Sequence, residues 1–174
     1  MTAALAAVVA MRSPQVRVNA VVRRLDKMVQ SLSIQSDDPN RLAKSILHKY
    51  VELGCRVSLE GNLDSFDLSS FEGLTDQETH EIHRHTIRPK LDFLVFDINP
   101  DSLSALLEVL EDPFAFEPDK IIHFQIERAG SLLFGAYDNF DDECVFAFPP
   151  ISEEDLQNFK KEKIIKSYNQ VTGS

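Results

Sequence analysis

Three strand-like segments follow one another closely in the second half of the chain: residues 121–127 (IIHFQIE), 131–137 (SLLFGAY) and 144–148 (CVFAF). Their connections are only three and six residues long. A parallel crossover needs a dozen or more, so these segments must pair antiparallel. Ala129–Gly130 suits a tight hairpin tip, and Pro149–Pro150 stops the third segment. Whatever else the chain does, it must fold around this meander.

The remaining elements are read from periodicity. Pro14 opens a helix, and Val18, Val21, Val22, Leu25, Val29 and Leu32 recur at spacings of three and four, opposite a basic face. Asp37, Asp38 and Pro39 end that helix and start a second, with Leu42, Ile46, Leu47, Tyr50 and Val51 as its apolar stripe and Gly54 beyond its end. Residues 55–60 (CRVSLE) alternate as a short strand. Residues 61–74 are rich in turn formers. Thr75 with Glu78 is a capping-box pattern that predicts a short polar helix to about His85, before Pro89. Residues 91–98 (LDFLVFDI) predict a strand, and Asn99–Pro100 leads into a helix bearing Leu103, Leu106, Leu107 and Leu110. Residues 112–119 read as loop. Ser152 with Asp155 starts a last helix, running to about Ile165. The expected fold is α+β: a four- or five-stranded, mainly antiparallel sheet with helices packed on one face, two helices at the N-terminal end and one at the C-terminal end.

At 174 residues the chain suits one domain. Residues 14–174 are expected to form it, after an apolar segment at 1–13 that acts as a flexible or docking arm. Thr2–Met11 is too short to span a bilayer and has no basic flank before it, as a secretory signal would. Residues 1–36 carry five Lys and Arg, several serines and one acid, Asp26, which is also how an organellar transit peptide is composed. The cytoplasm is the expected compartment, with organellar import the alternative. Two cysteines, Cys55 and Cys144, without a CxxC pair make neither a disulfide framework nor a zinc site. They fit small buried thiols in a reducing compartment.

Charge is divided along the chain. Residues 1–56 hold nine Lys and Arg against four Asp and Glu, and residues 57–174 hold nine against 24. The net charge is −10. A body this acidic repels phosphate, which argues against nucleic acid, and steers toward basic partners.

Three clusters could carry chemistry. In HEIHRH, residues 80–85, three histidines sit beside Glu78 and Glu81. On a helix His80 and His83 share a face but His85 falls away from them, and Arg84 stands where a zincin needs its second histidine. His80 and His83 are therefore weak metal candidates, and a metal-dependent hydrolase centred on residues 80–85 is one functional alternative. The second cluster, 137–143 (YDNFDDE), places Asp138, Asp141, Asp142 and Glu143 beside Tyr137 and Phe140. It lacks the glycine and glutamate spacing of a calcium loop. It reads either as a turn or as an acidic surface with aromatic anchors. Third, Asp119 and Glu127 have the spacing of a nuclease core, but Ala129 stands where its lysine belongs. No phosphate-cradling glycine loop and no GxSxG elbow is present, and no cofactor is expected.

The leading expectation is a small acidic, non-enzymatic binding protein that neutralises or regulates a basic protein partner through Tyr137, Asp138, Phe140, Asp141, Asp142 and Glu143. In composition and size the chain resembles the small acidic immunity proteins that protect bacteria from their neighbours' toxins. No motif carries that resemblance, so no site residue follows from it. The other alternative is a structural or assembly subunit docking through its basic N-terminal helix.

Overall fold

A computed structural model of the chain describes residues 31–171, apart from positions 53, 70, 72 and 119. The expected N-terminal helix lies outside the described residues up to Val29, as do the 1–13 segment and Asp119. Seven strands form one antiparallel sheet: β1 (Ser31–Gln35), β2 (Cys55–Gly61), β3 (Asp92–Asp97), β4 (Ile121–Arg128), β5 (Ser131–Ala136), β6 (Val145–Ala147) and β7 (Ser167–Val171). Their order is β3-β2-β4-β5-β6-β1-β7. Three helices are described: α1 (Pro39–Tyr50), α2 (Pro100–Val109) and α3 (Glu153–Lys161). The α+β class and the antiparallel meander are as expected. The strand number among the described residues is seven, not four or five.

The two extra strands correct two readings. Leu32 is not on a helix: residues 31–35 pair with β6 on one side and β7 on the other. Their local sequence fits either period, and neighbours from the far end of the chain decide it. The last helix ends at Lys161, not near Ile165. Glu162 caps it and Lys163 turns left-handed (φ 57°), so the chain leaves the helix through buried Ile164 and Ile165 into β7.

Each helix begins where its cap is encoded. The Asp38 side chain accepts from Arg41 N–H, and Asn99 with Ser102, and Ser152 with Asp155, form reciprocal capping boxes. Leu42, Ile46 and Leu47 of α1, Leu106 of α2, and Leu156 and Phe159 of α3 share one core with Val57 and Leu59 of β2 and Phe124 and Ile126 of β4. Lys49 and Asp155 join α1 to α3 at 2.5 Å. At the Ala129–Gly130 tip both residues have positive φ, 51° and 75°, as a tight two-residue hairpin requires. Where β2 ends, a side chain on Gly61 would put its Cβ 1.7 Å from the Lys120 carbonyl oxygen, so the two backbones meet there only through glycine. Among the described residues, no helix is long and apolar enough to cross a membrane.

Candidate functional site

Period-two alternation gives the central strands a second face. If Val57, Leu59, Phe124 and Ile126 point to the helices, then Ser58 and Glu60 of β2 and His123, Gln125 and Glu127 of β4 point away. All five of these polar residues are nonetheless buried. Their cover is a non-helical segment, residues 75–91, which crosses this face as a strap.

The expected polar helix at 75–85 is therefore corrected. Thr75 makes an isolated bridge to Val95 at the β3 edge instead of capping a helix. Thr79 Oγ1 donates to Glu127 and accepts from the Glu81 and Ile82 N–H groups. The strap's N–H groups are shared between its own side chains, Thr79 and Glu78, and the sheet side chains Gln125 and Glu60, which removes the need for a helical ladder.

Those bonds are specific. Gln125 accepts from His83 N–H at 3.3 Å and donates to the His83 carbonyl at 2.8 Å, as a neighbouring strand would, and also reaches Ser58 Oγ at 3.1 Å. The two oxygens of Glu60 accept from the N–H groups of His85 (2.8 Å) and Thr86 (2.7 Å). Burial raises the Glu60 pKa above its ordinary value, and these two bonds only partly offset that. Glu60 and His123 are direct cross-strand partners. His123 Nδ1 accepts from Asp138 N–H at 3.2 Å, which assigns the ring proton to Nε2, 3.0 Å from Thr86 Oγ1. Ile82 is fully buried against Phe93 and Val95, and the Arg84 guanidinium lies over the Phe93 ring at 4.8 Å.

The histidines singled out in the sequence separate here. His80 is exposed and bonded to Glu81 at 2.7 Å; His83 faces Glu78 at 3.4 Å; the His85 ring turns inward, 4.4 Å from Tyr137 and 5.4 Å from His123. Among the described residues, no group of three or more His, Cys, Asp and Glu side chains could hold a metal ion. Glu127, the second acid of the nuclease-like spacing, is engaged by Thr79.

The acidic loop borders the strap. Tyr137 and Phe140 are both buried, Phe140 with its ring 4.3 Å from Phe116. The aromatic members thus anchor the loop from inside. Gly135 leaves room for Tyr137: a Cβ there would come within 2.5 Å of its hydroxyl oxygen. Asp138, Asn139 and Phe140 all have positive φ (49°, 60° and 60°). Asp and Asn tolerate that region, whereas a bulky residue such as Phe is strained in it. The Asn139 amide donates to the carbonyls of Phe116, Glu117 and Ile121, which holds the turn in place. Asp141 and Glu143 are exposed and Asp142 half-buried, and among the described residues none of the three is in an ion pair, although the charge of Asp142 is felt at Lys166. Their influence is felt underneath. Burial, reinforced by the charges of Asp138, Asp141 and Glu143, pushes the Cys144 thiol up to about 12. Both cysteines are free and buried.

Sequence reasoning singled out the loop and the histidines but missed the polar floor. Its signal was the alternation itself: polar residues at 58, 60, 123, 125 and 127 interleaved with core residues. No family model, no curated protein and no solved structure matches the chain.

Proposed function

We propose that the protein is a small acidic, non-enzymatic binding protein that captures a basic protein partner through the loop 138–143 and so neutralises or regulates it. The observation that carries this reading is the run of three left-handed residues, Asp138, Asn139 and Phe140, pinned by Asn139 and by the buried Phe140 ring. Backbone strain persists only where the surroundings over-determine it, and it clusters at functional sites. Here it presents Asp141, Asp142 and Glu143 on a fixed turn. A turn already fixed costs little ordering entropy on binding. The net charge of −10 adds long-range attraction for a cationic partner.

The test replaces Asp141 and Asp142 with Asn and Glu143 with Gln in the full chain. Wild type and variant are used side by side to capture partners from the native host, and the association rate of the captured protein is measured at low and high salt. The variant should keep the fold, lose the partner at physiological salt, and show a slower association with a flatter salt dependence. Equal capture and an unchanged salt slope would overturn the reading.

A further inference from the structure

After a turn in which Thr79 and Ile82 bond each other, residues 83–86 are held to the sheet as a bound peptide is held. Gln125 takes both main-chain groups of His83, and Glu60 takes two successive N–H groups, those of His85 and Thr86. Only one side chain of the segment is fully buried, Ile82, in the recess formed by Phe93 and Val95. Arg84 adds a cation over Phe93. These are the elements of extended-peptide recognition: main-chain hydrogen bonds for affinity and pockets at chosen positions for selectivity.

The geometry points to a peptide-binding groove across β2 and β4 that the chain's own residues 79–86 occupy in cis. When the strap lifts, the groove accepts a segment of a partner with an aliphatic residue two positions before an arginine. Ile82 and Arg84 supply that pattern in the strap itself. The floor carries Glu60 and Glu127: Glu60 meets main-chain N–H groups and attracts the Arg84 charge, and Glu127 accepts from the Thr79 hydroxyl. The floor is also continuous with the acidic loop, since Asp138 N–H bonds to His123 beneath the strap. The strap's attachments are separable from the sheet's own. β2 and β4 pair directly through seven residue pairs, whereas the strap meets them through side chains. This groove is a different surface from the acidic loop, and its test leaves residues 138–143 untouched, so either reading can fail alone.

The probe is a fluorescently labelled peptide with the sequence of residues 79–87, and the protein is the full chain. Ile82→Asp should free the strap and leave the floor intact. That variant should bind the peptide saturably, at least about ten-fold tighter than wild type, in which the tethered strap competes at high effective concentration. Adding Gln125→Ala should weaken binding at least about ten-fold, because the groups that read the main chain are lost. Hydrogen exchange of the wild type supplies a second reading. Amides of residues 79–86 should exchange at least about ten-fold faster than those of β2 and β4 through a sub-global opening. If Ile82→Asp does not fold, Ile82→Ala takes its place. The proposal is overturned if the folded variant binds no peptide, if Gln125→Ala leaves binding unchanged, or if strap and sheet exchange together. It is also overturned if neither Ile82 variant folds, because the strap would then be part of the fold and no groove would exist without it.

Discussion

Phe124 and Gln125 are neighbours on β4 and do opposite work. Phe124 faces the helices, fully buried, with the rings of Phe116, Phe134 and Phe140 between 6.0 and 6.4 Å away. Gln125 faces the strap, equally buried, and meets it through hydrogen bonds. Burial alone does not distinguish the two faces of the sheet. One face selects its cover by shape, and water is excluded because apolar surface is removed. The other selects its cover by pairing, and water is excluded because every desolvated polar group has been given a partner. The first kind of cover resists displacement by anything smaller than itself. The second can be matched by any chain that offers the same N–H and C=O groups.

Truncating the two neighbours should separate these modes. Phe124→Ala opens a cavity in the shared core and should cost about 3–5 kcal/mol of global stability, read as a shift in the denaturation midpoint. Gln125→Ala removes the partner of His83 N–H and carbonyl, and should cost about 1–3 kcal/mol. Its loss should be local, with faster hydrogen exchange in residues 79–86 and little change in the helices. Equal global losses from the two variants would erase the distinction.

Acid should act on the two faces with opposite sign. On the helix side, burial would push the Asp155 carboxyl up, but hydrogen bonds from Lys49 and Ser152 override it and hold its pKa well below the ordinary range. That contribution is complete above the ordinary aspartate value of about 3.9 and fades as pH falls toward the depressed folded value. On the strap side Glu60 is raised, chiefly by burial. Its contribution is complete below the ordinary glutamate value of 4.5 and is lost as pH rises through the folded value. Glu60→Gln should therefore remove a decline in stability that sets in as pH rises above the ordinary glutamate value. It should also lower stability modestly throughout, because an amide N–H2 then confronts one of the strap's N–H groups. Asp155→Asn should instead remove a decline at more acid pH. Urea midpoints across the pH range check both, and the contrast between the faces fails if the two variants alter the same limb.

The helix face was legible in the sequence and the strap face was not. Capping residues Asp38, Asn99 and Ser152 announce the helices locally, and the short connections around Ala129–Gly130 dictate antiparallel pairing. β1 and β7 escaped because each owes its state to the other: Ser31 pairs with Val171 and Gln35 with Ser167, across nearly the whole described chain. The strap escaped for a related reason. Thr75 and Glu78 satisfy a helix-start pattern, yet Glu78 accepts from Arg84 N–H, Thr79 accepts from Glu81 and Ile82, and Gln125 and Glu60 of the sheet accept from His83, His85 and Thr86. A tertiary network outcompeted a local propensity. The acidic loop was visible as composition, but nothing in YDNFDDE showed that Tyr137 and Phe140 would turn inward and leave carboxylates as its outer surface.

The smallest effect is expected where the sequence looked most like chemistry. If the strap is recognised through its main chain, its histidine side chains at 80 and 83 contribute little to holding it. The His80 side chain is 92% exposed and bonds to the adjacent Glu81. His83 offers the sheet its N–H and carbonyl, while its ring looks to Glu78 on the strap itself. Replacing both with Ala leaves every main-chain bond to Gln125 available, so stability should change by no more than about 0.5 kcal/mol, as at ordinary surface positions. Exchange of residues 79–86 should stay as in wild type, in contrast to Gln125→Ala at the other end of the same hydrogen bonds. A loss from the double histidine variant comparable to that of Gln125→Ala would show that the strap is read by its side chains. The two faces of the sheet would then differ in polarity alone, and the cover of each would be chosen by shape.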